Sequence, residues 1–249
     1  MKAQEKFAVY INGDEFLLEK KDKLNEKTTT SGTCYHLQDG DLDLAVKIYH
    51  QEDSMDGEYP WFPEEETLQK FIQLAPYTFP VLLSQYFVRD IQGDYIGCAR
   101  ECIYPSYKNT VNAIFRLPKE QIFPYFQSIQ NTIPCFDQAS IVLDDWNSYN
   151  VMLGKTKTQP TSLFVFDDSS YIVSDNDKVN NQFEFDHLIE DLTENYLENI
   201  SLSNATHYIV EDMRRSRTHL QFLQDITGNH ESIGDGVFQY AKNINKKYF

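Results

Sequence analysis

Residues 141–153, Ile141-Val-Leu-Asp-Asp-Trp-Asn-Ser-Tyr-Asn-Val-Met-Leu153, place apolar flanks on both sides of a polar centre, and within that centre Asp145 and Asn150 stand five apart. A short turn later, Leu163-Phe-Val-Phe-Asp-Asp168 reads as an apolar strand ending in a carboxylate pair. Upstream, Leu44-Ala-Val-Lys-Ile-Tyr49 reads as a strand with one lysine among apolar neighbours. A strand lysine, then Asp-x4-Asn, then an aspartate closing a strand, in that order, is a phosphoryl-transfer constellation. The lysine holds nucleotide phosphates, the first aspartate orients an acceptor hydroxyl, and the asparagine and last aspartate hold Mg²⁺. Aspartate also favours the turns that end strands, which accounts for Asp144-Asp145 or Asp167-Asp168 taken alone. It does not account for both pairs together with an asparagine at that offset and an upstream strand lysine.

The chain of 249 residues is long enough for one large domain or two small lobes. Its 41% hydrophobic and 14% aromatic content belongs to a globular protein rather than a disordered one. The formal net charge of −16 argues against nucleic acid and anionic membranes as partners, since both are polyanions. It obliges any nucleotide site to carry local positive charge from Lys47, Mg²⁺ and backbone N–H groups; the plainer reading of the acidity is a solubilising surface. Cys34, Cys98, Cys102 and Cys135 form no Cys-x-x-Cys and accompany no paired histidines, so free thiols in a reducing cytosol are expected and a zinc site is not. No run of about 18 apolar residues is present, so no transmembrane helix is expected. The first ten residues lack an apolar signal core, and a cytoplasmic location follows as the expectation.

Residues 7–11 and 15–18 around Asn12-Gly13 read as a β-hairpin, because Asn-Gly supplies the positive φ values of a type I′ turn. Residues 28–37 and 44–49 read as two strands joined by an Asp-Gly turn. Ser31, Gly32 and Thr33, in the hydroxyl-rich run ahead of the lysine strand, offer hydroxyl and N–H groups to phosphates; with a single glycine, the run reads equally as a polar loop. Residues 63–74 read as a helix, with Pro63 and acids in its first turn, Leu68, Phe71 and Ile72 at helical spacing, and Pro76 at its end. Glu65 shares the face of Leu68 and Ile72 and is the candidate partner of Lys47, although the three glutamates 64–66 read equally as solvated first-turn acids.

Residues 79–88 and 95–99 read as strands around Gln92-Gly-Asp94, after which β character fades near residue 103. Residues 107–117 and 119–133 read as helices, the second with Ile122, Phe123, Phe126, Ile129 and Ile133 as a core stripe ended or kinked by Pro134. Residues 183–200, 207–226 and 236–244 complete a helical second half.

This order of features resembles the protein kinase-like superfamily, which includes protein kinases, aminoglycoside phosphotransferases and choline kinases, over roughly residues 25–200. Ala45-Val-Lys47 resembles the nucleotide-lysine strand, Glu65 or a neighbour its helix glutamate, and residues 95–103 the last strand and the hinge that meets adenine. Asp145-x4-Asn150 resembles the catalytic loop, and Phe166-Asp167-Asp168 the magnesium-binding turn. The resemblance implies an α+β, bilobal fold. Residues 1–103 would form an antiparallel β-rich N-lobe with one helix, and residues 104–249 a mostly α-helical C-lobe. It implies Asp145 and Lys47 as catalytic residues, with Ser31, Gly32, Thr33, Lys47, Glu65, Glu101 and Ile103 around ATP and Asn150 and Asp167 on Mg²⁺.

Departures narrow the likeness. The His-Arg before the catalytic aspartate is Leu143-Asp144 here, the Phe-Gly after the metal aspartate is Asp168-Ser169, and no Ala-Pro-Glu follows. The peptide platform of protein kinases is therefore missing or minimal. The nearest general likeness is to small atypical bacterial kinase-like proteins and small-molecule phosphotransferases. The expected activity is ATP- and Mg²⁺-dependent phosphorylation of a hydroxyl acceptor, either a small molecule or an atypical protein. The alternatives are a pseudokinase acting as a protein-interaction module, with or without nucleotide binding, and a plain α+β binding protein with no nucleotide site.

Overall fold

The computed structural model describes residues 6–19, 22–24, 32–49, 65–143, 146–166, 171–172 and 180–248. The chain is a mixed α+β protein whose first half is built on an antiparallel sheet. Strands β1 (Lys6–Ile11) and β2 (Asp14–Glu19) form the expected hairpin. Asn12 and Gly13 at its tip take φ of 54° and 91°, the left-handed values that such a two-residue turn requires. A second hairpin joins β3 (Gly32–Asp39) to β4 (Leu42–Tyr49). Helix α1 (Glu65–Leu74) follows, then β5 (Tyr86–Arg89) and β6 (Tyr95–Glu101). The six strands run β2-β1-β5-β6-β4-β3, every neighbouring pair antiparallel.

Strand periodicity gives the sheet two chemically different faces. One carries Val9, Ile11, Phe16, Leu18, Tyr35, Leu37, Leu44, Val46, Val88 and Ala99 in a closed apolar cluster. The rings of Phe7 on β1 and Tyr35 on β3 meet at 5.3 Å although three strands separate them in the sheet, so the sheet curls around this cluster. The other face contributes Tyr49 and Cys98 to a larger core with Leu68 and Phe71 of α1. That core continues through Val81 and Leu83 into the helices of the second half.

Sheet structure persists past residue 103. Strand β7 (Tyr104–Pro105) pairs with β9 (Val151–Lys155), which pairs with β10 (Ser162–Val165); β8 (Ile141–Val142) pairs with β11 (Tyr171–Ile172). The helices are α2 (Thr110–Arg116), α3 (Lys119–Gln130), α4 (Ile133–Gln138), α5 (Asn181–Asn199), α6 (Thr206–Arg214), α7 (His219–Thr227) and α8 (Ile233–Tyr248). Helix α5 is the central one. It buries Phe185, Leu188, Ile189, Leu192, Tyr196 and Leu197, and its Tyr196 ring stacks on Phe115 of α2 at 4.3 Å. Among the described residues no helix is long and apolar enough to cross a membrane.

Three local expectations are corrected. Of the strand expected over 79–88, only the last residues join the main sheet. Leu82 donates its N–H to the Val165 carbonyl, and Val165 donates to the Pro80 carbonyl, so this strap runs parallel to β10 instead. Pro80 has no N–H with which to extend a ladder on its other side. Ile133 and Pro134 do not close α3; they open α4, where a first-turn proline loses no hydrogen bond. The helix expected over 207–226 is two helices, because Thr218 takes an extended conformation and its hydroxyl caps α7 at the Gln221 N–H.

The β7–β9 contact depends on the absence of a side chain at Gly154, where a Cβ would overlap the Tyr104 carbonyl oxygen. The substitution Gly154→Ala should therefore cost about 2 kcal/mol in urea unfolding, the usual penalty for forcing atoms into a filled space. The same change at the neighbouring exposed Lys155 should cost under about 0.5 kcal/mol. Equal effects at the two positions would refute the close-packing account.

Candidate functional site

Alternation along β4 puts Asp43, Ala45, Lys47 and Tyr49 on the face turned away from the curled cluster. The register places Cys34 and Cys98 opposite Lys47, and Arg100 opposite Ala45. The Lys47 ammonium lies 5.6 Å from the centre of the Tyr49 ring, and the Tyr49 hydroxyl donates to Cys98 Sγ at 3.2 Å. Lys47 is thus an extended, half-buried cation on an otherwise mixed sheet face.

Glu65 pairs elsewhere on the sheet. Its carboxylate is bound by the Arg89 guanidinium at the end of β5. Helix α1 seats itself through Leu68 and Phe71, which leaves residue 65 in the exposed first turn beside Arg89. Gly32 and Thr33 are ladder residues of β3, paired with Tyr49 and Ile48, and not part of a loop; Ser31 lies outside the described residues. Glu101 accepts from both the N–H (3.0 Å) and the hydroxyl (2.7 Å) of Thr158, joining the end of β6 to the β9–β10 turn. Ile103 follows in the connection to β7, and its side chain lies against Gly154.

The polar stretch between β8 and β9 is held from below by α5. Asn181, fully buried at the start of that helix, accepts from the Leu143 N–H at 2.8 Å and donates to the Ile141 carbonyl and to Asp137, each at 2.8 Å. Nearly three turns further along, Asp191 accepts from the Ser148 N–H at 2.6 Å, and Asn195 donates to the Ser148 hydroxyl and back to Asp191. Asn147 caps a short 3₁₀ turn over Ser148–Asn150, its side-chain oxygen accepting from the N–H groups of Tyr149 and Asn150. Trp146, buried completely, anchors the same stretch. Asn150 then lies beside Phe166, whose N–H donates to the Asn150 carbonyl at 3.0 Å, one step beyond the Val151–Val165 pair. The Arg100 guanidinium sits 5.0 Å from the Phe166 ring centre, so the face bearing Lys47 meets this pair of loops. Asp144, Asp145, Asp167 and Asp168 lie outside the described residues.

Sequence reasoning read α5 for its apolar positions and missed its polar ones. Sequence offered no signal to single them out, because Asn181, Asp191 and Asn195 are three among many polar residues of this helix. Glu190 on the same helix is buried and accepts from Arg214 Nε and Nη2 at 3.0 and 2.8 Å, with His219 Nε2 at 3.4 Å, so α5, α6 and α7 share one charged contact. Burial, and then Asp191 and Glu190, push the Glu194 carboxyl above its ordinary range.

A second polar cluster lies where β3, β4 and the end of β6 meet. Asp43 is 7% exposed. His36 Nε2 is 2.8 Å from its Oδ1, the Tyr104 hydroxyl donates to its Oδ2 at 2.7 Å, and the Cys102 N–H donates to its main-chain carbonyl. Burial, and then Asp43, push the Cys102 thiol up to about 11. The hydrogen bond to Asp43 pushes the Tyr104 hydroxyl up to about 12.

Compared with protein-family models and with curated proteins, the chain matches none.

The Asn181 contacts yield a stability test. Asn181→Ala leaves the buried Leu143 N–H and Ile141 carbonyl without this partner, which should cost about 3 kcal/mol in urea unfolding. Gln182→Ala, one position along at a half-buried site, should cost under about 1 kcal/mol. A small loss at Asn181 would mean that α5 does not hold the loop.

Proposed function

We propose that the chain is an ATP- and Mg²⁺-dependent phosphotransferase acting on a hydroxyl acceptor, with residues 1–103 and 104–249 as the two lobes of a protein kinase-like fold. The observation that carries this reading is the β9–β10 register. It sets Asn150 against Phe166, one residue before Asp167, while Lys47 lies on the sheet face that reaches the same place through Arg100 and Phe166. That neighbourhood, together with the sequence order of lysine, asparagine and aspartate, supports the phosphoryl-transfer reading.

In this reading Lys47 neutralises the α- and β-phosphates. Asn150 and Asp167 are hard oxygen donors, the ligand chemistry that suits Mg²⁺, and would hold it; the ion supplies charge neutralisation across the phosphates. Asp145 accepts a hydrogen bond from the acceptor hydroxyl and orients it. Rigid placement is the protein's main contribution, and the Asn181, Asp191 and Asn195 contacts provide it. The Glu65 carboxylate is engaged by Arg89.

One observation favours the alternative, a pseudokinase serving as an interaction module. Arg100 lies opposite Ala45 and over the Phe166 ring, a second cation on the face where the resemblance would seat a flat, neutral base.

Thermal denaturation separates the readings. ATP with Mg²⁺ at a hundred times the dissociation constant should stabilise the protein by about 2.7 kcal/mol, several degrees in Tm. Either component alone should do much less, and Lys47→Ala and Asp167→Ala should abolish the shift. Phosphate transfer or ATP hydrolysis that disappears in Asp145→Asn while the shift remains would establish the enzyme. A shift without turnover would favour the interaction module, and no shift at millimolar nucleotide would overturn the enzyme reading and leave a nucleotide-free interaction module or a plain binding protein.

A further inference from the structure

The cluster at the far end of the same sheet has a different chemistry from a magnesium site. His36 on β3, Asp43 on β4 and Cys102 just past β6 stand seven and fifty-nine residues apart in sequence. The ladder brings them together: Asp43 pairs with Gln38, two residues from His36 on the same face, and the Cys102 N–H bonds the Asp43 carbonyl across β4 and β6. One imidazole nitrogen, one carboxylate oxygen and one thiol sulfur lie within 4.8 Å of one another. A tetrahedral ion with bonds of about 2.0–2.3 Å needs its ligand atoms roughly 3.3–3.8 Å apart, which small side-chain rotations supply.

Among the described residues, the buried Asp43 carboxylate bonds no lysine or arginine; its side-chain partners are His36 and Tyr104. A buried carboxylate without a full cationic partner favours a cation in its place. Nitrogen and sulfur donors exclude calcium and magnesium and select a borderline ion of the zinc class. Tyr104 donates to Asp43 at 2.7 Å and so aims the carboxylate, the orienting contact that metal-bound carboxylates usually have. His36 is only half-buried, which leaves an approach from solvent.

We propose that His36, Asp43 and Cys102 form a three-ligand site for a zinc-class divalent cation, with a fourth position open to water or a small anion. Binding replaces the Cys102 S–H bond by a metal–sulfur bond and releases the proton to solvent. The ion would tie β3 and β4 to the connection between β6 and β7, independently of any nucleotide.

The test is titration of chelator-stripped full-length protein with Co²⁺, read by absorption. One equivalent should produce a near-ultraviolet sulfur-to-cobalt charge-transfer band and visible bands of tetrahedral strength, both bleached by Zn²⁺. The charge-transfer band should vanish in Cys102→Ser and persist in Cys34→Ser, Cys98→Ser and Cys135→Ser. His36→Gln should weaken affinity by about tenfold or more, and Tyr104→Phe by about tenfold. Should Cys102→Ser fail to fold, the half-exposed His36→Gln decides the matter by itself. Absence of the bands, their survival in Cys102→Ser, or undiminished affinity in His36→Gln would overturn the site.

Discussion

Backbone groups removed from water must find partners, and in the described residues between β8 and β9 a single 3₁₀ turn over Ser148–Asn150 supplies few of them. Helix α5 supplies them instead, through Asn181 at its first turn and Asp191 and Asn195 farther along. Those three polar side chains are carried on a helix seated by Phe185, Leu188, Ile189, Leu192 and Leu197. Removing water around α5 strengthens each of these hydrogen bonds and makes each costly to lose. Leu143 and Ser148 are therefore tied to a helix whose own position is set by apolar packing.

The sheet solves a related problem. Its apolar face is closed by curling, as the Phe7–Tyr35 contact shows, and needs no helix to cover it. The opposite face is then free to be chemically mixed, with α1 covering only part of it. Lys47, Arg100, Asp43, His36 and Cys102 all derive from that division. A flat sheet with the same sequence would have spent this face on core formation. The acidic character of the whole chain sharpens the contrast, since Lys47 and Arg100 are concentrated where the sheet approaches Phe166.

Much of the local structure was legible. The Asn12-Gly13 hairpin, the β3–β4 hairpin, α1, the Ile122, Phe126 and Ile129 stripe of α3, and the strand before Phe166 all follow from turn chemistry and apolar periodicity, whereas the pairing of that strand with β9 came only from the tertiary structure. What misled was local ambiguity. The run 79–88 is apolar enough for a strand, but Pro80 and the pull of β10 decide where its first part pairs. Pro134 marks a helix end or a helix start with equal ease, and the end of α3 at Gln130 settles which. Glu65 shares a helical face with its apolar neighbours, yet a first-turn side chain reaches sideways, and Arg89 is what lies there.

The sequence by itself determined which elements form, that an acidic α+β protein results, and that a strand lysine precedes an Asp-x4-Asn and a second aspartate. These properties depend on neighbours within a few residues: φ preferences, alternation, helical spacing. Only the tertiary structure decided that Asn150 sits against Phe166, that α5 holds Leu143 and Ser148 ahead of Asn150, that Glu65 pairs with Arg89, and that a histidine, an aspartate and a cysteine with no recognisable spacing share one corner of the sheet. Those outcomes rest on strand register and helix packing, in which residues far apart compete for the same partner, and such competition leaves no periodic trace along the chain.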